Sequence, residues 1–283
     1  MAGKLVICPT PLGNLGDMTM RALEALRAAD VVCAEDTRVT GKLLAALGVE
    51  GKRLERLDEN VIGERADEIV RRVQDGETVA YCTDAGMPGV SDPGLRLVRA
   101  AREAGAPVEV LPGPTAVATA YVASGCTDAA FFFGGFFPRK AGERAALLES
   151  LRALPAALIF YESPKRLVAA LEAIAAAFPL REVAVCRELT KLHEEVVRGQ
   201  AAEMLAVFAA REGVKGEIVI VIDAPGEADQ AAQAADAHEA AADRAAALAA
   251  EGVRPKQIAR MLADELGIPR NEAYELALAA REQ

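Results

Sequence analysis

The sequence predicts an α/β protein of more than one domain, and three observations carry this. Short runs of Val, Ile, Leu and Cys alternate with longer helical patterns, the rhythm of strands and helices layered around largely parallel sheets. At 283 residues the chain exceeds one ordinary domain. Its 52% hydrophobic and 26% charged residues are ordinary globular usage, with ample material for a core.

In order, LVIC at 5–8 reads as the first strand and 19–28 as a helix. VVCA at 31–34 is a strand and 40–47 a helix. The helical pattern at 64–74 leads to TVAYC at 78–82, and the one at 93–104 leads to VEVL at 108–111. Pro112-Gly113-Pro114 then breaks both helix and strand, which sets a first domain at 1–113. The rhythm resumes with an apolar 114–124, FFF at 131–133, a charged helix at 142–153, ALIFY at 157–161, a helix at 165–177, VAVC at 183–186 and EIVIVI at 217–222. A second domain at 114–226 follows. Residues 227–251, Ala-rich and acidic, form a linker or a helix. In 252–283, Ile258, Met261, Leu262 and Leu266 share a helical face, Gly267 and Pro269 make a turn, and Asn271 caps a second helix bearing Tyr274, Leu276 and Leu278. That tail is a helix-turn-helix or a plain αα-hairpin.

Composition excludes several classes. No run approaches the roughly 18–20 apolar residues of a membrane span, and the first apolar run is too short for a signal-peptide core. A cytoplasmic protein with no membrane partner is expected. Cys8, Cys33, Cys82, Cys126 and Cys186 form no CxxC, so buried free thiols are expected. His193 and His238 lie far apart without ligand spacing, and no metal site is expected. The net charge of −10 excludes a polycation that coats nucleic acid, though not a local basic groove. Part of that charge is local: 227–251 holds six acidic groups against Arg244.

Three loops follow strands, where open α/β sheets place ligands. The segment 83–94 holds three glycines, two prolines and two carboxylates, with no Lys or Arg. Glycines let backbone approach a ligand, and prolines reduce the entropy lost on binding. Without a cation it disfavours polyphosphate and suits a zwitterionic or cationic ligand. The segment 9–17 is a ligand loop or a tight turn, and Thr115 in 112–116 either meets a ligand or caps the next helix. GxGxxG, GxxxxGK[ST] and GxSxG are all absent.

Taken together, Pro11-Leu12-Gly13-Asn14-Leu15, Ala34-Glu35-Asp36-Thr37-Arg38, Asp84-Ala85-Gly86-Met87-Pro88, Pro112-Gly113-Pro114-Thr115-Ala116, Gly135-Phe136-Phe137-Pro138, Phe160-Tyr161-Glu162-Ser163-Pro164-Lys165-Arg166, Arg187-Glu188-Leu189-Thr190-Lys191 and Lys215-Gly216-Glu217 resemble, in this order, the tetrapyrrole-methylase superfamily. These are class III enzymes that use S-adenosylmethionine (SAM). The resemblance spans about residues 4–224, and the tail is similar to a helix-turn-helix extension in the family. Met87 departs from the pattern, where Thr is commoner. The resemblance implies two α/β domains with SAM in the cleft between them, a small C-terminal helical extension and a homodimer. Within the superfamily the chain is similar to the branch that methylates the ribose 2′-hydroxyl of a decoding-centre cytidine in 16S rRNA of the 30S subunit. Cofactor roles carry over to Pro11, Asp84, Ala85, Gly86, Pro88, Thr115, Ala116, Tyr161, Leu189, Gly216 and Glu217.

A ribose hydroxyl is a poor nucleophile, so a base that takes its proton aids the transfer. Glu35, Asp36 and Glu162, at strand ends, are candidates; the alternative is an ion-pair network with Arg38, Arg166 or Arg187. For RNA, the cations in or beside the motif loops are Arg38, Lys42, Arg139, Lys140, Arg144, Lys165, Arg166, Arg187 and Lys191. Phe136 and Phe137 either stack on bases or belong to the core. Two rivals are a tetrapyrrole methyltransferase of the same fold and a non-catalytic RNA-binding factor. The basic strand-end residues and the helical tail favour an RNA enzyme over the first, and SAM binding separates it from the second.

Overall fold

A computed structural model describes residues 3–266 and 268–280. The turn assigned to Gly267, and the end of the tail at 281–283, lie outside the described residues. The chain divides into two compact units, Met1–Ala224 and Pro225–Gln283.

The first unit opens with β1 (Lys4–Ile7), α1 (Met20–Ala28), β2 (Val31–Ala34), α2 (Thr37–Ala46), β3 (Arg53–Arg56), α3 (Ile62–Gln74), β4 (Thr78–Cys82), α4 (Gly94–Glu103) and β5 (Val108–Val110). The strands form a sheet in the order β3-β2-β4-β1-β5, parallel throughout. Strand alternation splits the core in two. Leu5, Ile7, Val31, Cys33, Val79 and Tyr81 pack against α3 and α4. Val6, Cys8, Val32, Ala34, Ala80 and Cys82 pack against α1 and α2. Both faces are covered, which is why these strands read as unbroken apolar runs.

After α5 (Ala116–Ala123) come β6 (Phe131–Phe136), α6 (Ala141–Ser150), β7 (Ala157–Glu162), α7 (Leu167–Ala177), β8 (Glu182–Arg187), β9 (Glu195–Gln200), α8 (Ala201–Ala209) and β10 (Ile218–Ile222). Their sheet has the order β6-β7-β10-β8-β9. Here the expectation of a largely parallel sheet fails: β6 and β7 are parallel, but β10 runs antiparallel to both β7 and β8, and β9 antiparallel to β8. Hydrophobic periodicity reports burial and not strand direction, so a buried IVIVI fits either. One face packs Leu158, Phe160, Val183, Ile220 and Ile222 under α6, α7 and α8. The other packs Ile159, Ala184, Cys186 and Val221 against Val117 and Ala120 of α5.

The second unit consists of α9 (Glu227–Ala250), α10 (Pro255–Leu266) and α11 (Arg270–Ala279). Ala241, Ala245 and Leu248 of α9 pack with Ile258 and Leu262 of α10 and with Ala273, Leu276 and Ala277 of α11. The second tail helix therefore buries its alanine face, while Tyr274 and Leu278 stay exposed. Pro269, not Asn271, stands at its N-cap. No helix of the described residues is long and apolar enough to cross a membrane.

Candidate active site

Three loops at the carboxyl ends of neighbouring strands are knitted together. Thr10, just beyond β1, exchanges backbone hydrogen bonds with Gly86: Thr10 N donates at 3.0 Å and Gly86 N at 3.1 Å. The buried Thr10 hydroxyl donates to the Thr83 carbonyl at 3.2 Å. Gly113 lies so close to Pro9 that a Cβ there would sit 2.4 Å from the proline ring. Gly86 has φ +80°, a region that L side chains avoid. The segment 89–94 wraps around Asp92, whose carboxylate accepts from the backbone N–H groups of Gly89 and Gly94, both at 2.8 Å to Oδ1.

These loops and the ends of β7 and β10 enclose a cavity of about 520 Å³. Its wall includes Glu35, Asp84, Asp92, Glu162 and Glu217 and no Lys, Arg or His. Of these five, Glu162 pairs with Arg166 and Glu217 with Lys191 from outside the wall, which leaves Glu35, Asp84 and Asp92 as carboxylates with no ion-pair partner among the described residues. Burial, and then the charges of Asp84 and Asp92, raise the Glu35 pKa. Burial also raises that of Asp84, whose Oδ1 accepts from the Asp36 N–H at 3.1 Å. On the opposite wall the Tyr161 ring meets Phe133 and Phe136 edge-on, with centroids 4.9 and 5.5 Å away. Glu162 is buried. Its Oε1 accepts from Ser163 N at 2.6 Å and pairs with Arg166 at 2.5 Å, whereas Oε2 has no partner among the described residues. Thr115 is the N-cap of α5, but its hydroxyl makes no capping bond, which leaves it and the Ala116 N–H available at the cavity wall; the Val117 N–H donates to Tyr161.

Gly216, with φ +93°, carries the chain past Glu188, itself in the left-handed region at φ +51°. Glu188 N donates to the Glu217 carbonyl at 2.9 Å, and Glu217 N donates back to Glu188 Oε1 at 2.9 Å. Lys191 Nζ bridges Glu188 and Glu217 at 2.9 and 3.1 Å, and its stem lies against Gly13.

Most of the sequence-derived cofactor positions meet at this cavity: Asp84, Ala85, Gly86, Thr115, Ala116, Tyr161, Gly216 and Glu217 line it, as do Glu35, Glu162 and Phe136. Pro11, Pro88 and Leu189 do not. The two prolines are buried outside the lining and stiffen the loops, and Leu189 packs into the core with Val117 and Ala120. Phe137 is 1% exposed in the core against Phe160, so it cannot stack on a base. Asp36 is no candidate base: its carboxylate accepts from Arg38 at 2.6 and 3.1 Å, and that hydrogen bonding holds it well below the usual carboxylate range. Arg166 pairs with Glu162, Arg187 with Glu195, and Lys191 with both Glu188 and Glu217. Arg139, Lys140 and Lys165 are exposed, Lys140 beside Glu143.

Sequence reasoning did not select Leu12, Thr83, Val90, Ser91, Asp92 or Ser163, all of which line the cavity. Asp92 had a signal in the loop it organises; the apolar ones had none. Among the described residues, Cys126, Asp128 and Asp223 bring three ligand-type atoms within 4.8 Å. Asp128 already accepts from Cys126 Sγ and Ala224 N, and Asp223 pairs with Arg198, so the fold itself occupies these groups.

The fold and the site belong to a known class. Residues 4–205 match the tetrapyrrole (corrin/porphyrin) methylases, and the chain belongs to that family. Among solved structures it is similar to diphthine synthase (TM-score 0.62, 16% identity, 78% of this chain and 90% of that one) and to the uroporphyrin-III-C-methyltransferase of Thermus thermophilus (TM-score 0.53, 20% identity, 77% and 94%). These likenesses bear on the fold. Within the family the chain belongs with the proteins named ribosomal RNA small subunit methyltransferase I. It is 40% identical to that of Micromonospora olivasterospora over 100% of this chain and 88% of the relative, and 40% identical to that of Escherichia coli O157:H7 over 98% and 95%. Residues 236–281 match the RsmI C-terminal HTH domain.

Proposed function

We propose that the protein methylates the ribose 2′-hydroxyl of a decoding-centre cytidine in 16S rRNA, with SAM as methyl donor. One observation carries the reading: a cavity walled by five carboxylates and no cation, in a chain 40% identical along its whole length to rRNA small subunit methyltransferases. SAM carries a sulfonium, an ammonium and a carboxylate but no phosphate, and the donor set fits it. The unpartnered Glu162 Oε2 and the carboxylates of Asp84 and Glu217 would face its positive groups. Thr115 and Ala116, at the N-terminus of α5, would offer N–H groups to its carboxylate. Tyr161 and the backbone of Ala85, Gly86 and Gly216 would shape the rest.

Bound SAM supplies an electrophilic methyl on a good leaving group. The chain's own contribution is to hold acceptor and donor in line, which is worth roughly 7–11 kcal/mol in favourable cases. Glu35 takes the proton of the hydroxyl, because Asp36 is committed to Arg38 and Glu162 to Arg166. Phe136, 59% exposed, gives a base a platform. Arg139, Lys140 and Lys165 add positive charge.

The reading takes the chain as domains 1–113 and 114–226, a segment 227–251 and a helix-turn-helix-like tail 252–283; its support is that β1–β5 fall within the first and β6–β10 within the second. It takes the enzyme as a cytoplasmic homodimer; what supports a second copy is exposed apolar surface at Val122 and Phe131. The test is transfer of labelled methyl from SAM to 30S subunits that lack the modification, with the acceptor mapped. Label on the ribose of a decoding-centre cytidine is expected; no transfer, or label on a base, would overturn the reading.

A further inference from the structure

A second hollow, of about 330 Å³, opens beside the cofactor cavity and shares only Glu35 with it. Its other lining residues are Asp36, Thr37, Arg38 and Arg56. The chemistry changes across Glu35: the large cavity has no cation, whereas the small one has two guanidinium groups. Arg56 ends β3 and pairs in register with Ala34, the residue before Glu35. Arg38 lies in the first turn of α2, which starts two residues beyond Glu35.

Each arginine is oriented by an acid two residues away. Arg38 places Nε and Nη2 on Asp36, and Arg56 places Nε and Nη2 on Asp58. Asp58 is itself 8% exposed and accepts from Asn60 N at 3.1 Å. Each guanidinium is thus fixed along one edge, and its Nη1 group has no acceptor among the described residues. Such a fork, turned to a hollow, matches a phosphate oxygen.

We infer that this hollow is the subsite of the acceptor nucleotide, and that Arg56, with Arg38, grips the phosphodiester next to the reacting ribose. The inference rests on the proposed methyl transfer to RNA. In a ribonucleotide the 2′-hydroxyl and the 3′-phosphodiester sit on neighbouring carbons. A base for the one and a fork for the other must therefore line one space, as Glu35 and Arg56 do. Arg56 is a substrate-positioning residue that no sequence motif pointed to.

The test uses the full-length protein, SAM and undermethylated 30S subunits. Arg56→Ala should raise KM for the subunits about tenfold. It should also lower the slope of log KM against log salt by about one. The SAM Kd measured by calorimetry, and kcat at saturating subunits, should stay within about twofold. Arg53→Ala removes the same charge from the same strand outside the hollow and should behave as wild type. If Arg56→Ala misfolds because Asp58 loses its partner, the double variant Arg56→Gln/Asp58→Asn keeps that contact uncharged and is read in the same way. Wild-type transfer with an unchanged KM and salt slope in these variants would overturn the subsite alone. A wild-type protein that binds SAM yet methylates no RNA would overturn the function on which it rests.

Discussion

Glu35 lines both the carboxylate-walled cavity and the hollow that holds Arg38 and Arg56, and burial, then the charges of Asp84 and Asp92, raises its pKa. Two consequences follow from one direction of shift. As a base it must be ionised, so kcat/KM should fall as pH drops through a midpoint above the ordinary Glu range of about 4.3. Glu35→Gln should cost about 10²–10⁴ in kcat, flatten that limb of the profile and spare SAM affinity. For stability, an acid with a raised folded-state pKa favours the fold most below its unfolded pKa and loses that contribution as pH rises through the folded one. At pH 7 the ionised Glu35 is therefore a liability, and Glu35→Gln should raise Tm while slowing turnover. A lowered Tm in that variant would remove the electrostatic account. Glu162 differs: one oxygen is fixed by Arg166 and Ser163, and the other is buried without a partner among the described residues. Glu162→Gln should weaken SAM binding about tenfold by calorimetry and leave KM for RNA unchanged.

At the scale of elements, the site is made by backbone turns that only particular residues permit. Gly216→Ala would put a Cβ 2.3 Å from Glu188 Cγ at φ +93°. The left-handed conformation alone costs about 1–2 kcal/mol, which in a unit of this size is a Tm drop of about 2–8 °C. Displacing Glu188 also breaks its bonds to Glu217 N and Lys191, so SAM affinity should fall together with Tm in a thermal melt and a titration. The same elements show what was legible in the sequence. LVI, VVC, TVAYC, ALIFY and VAVC announce themselves because those strands are buried on both faces. The β3 run RLER and the β9 run EVVRGQ escape, because edge strands with charged, half-exposed residues have no such run. Arg56 was invisible for that reason: its strand was not recognised. The Gly- and Pro-dense loops did mark a cavity, which Asp84, Gly86 and Thr115 line. Phe136 and Phe137 read alike in the sequence, yet neighbours at a strand end face opposite ways, one 59% and the other 1% exposed.

For the whole molecule, every residue that lines either hollow lies in the first unit, and the second unit has a core of its own. Residues 225–283 hold eleven acidic and six basic side chains, a net of −5, half of the chain's −10. An acidic unit adds nothing to the counterion release that drives general affinity for RNA. A chain ending at Ala224 should therefore fold, bind SAM with a Kd within about twofold of the full-length protein, and gain roughly 2.7 kcal/mol of stability at a hundredfold excess of SAM over Kd, as any single-site ligand confers. Its KM for 30S subunits at low salt should not rise through lost electrostatics, and the slope of log KM against log salt should be unchanged. If methyl transfer nevertheless collapses while SAM binding and salt slope hold, the three helices act by docking geometry, through uncharged surface such as the exposed Tyr274 and Leu278. A folded 1–224 chain that fails to bind SAM in calorimetry would sink the placement of the whole cofactor site within the first unit.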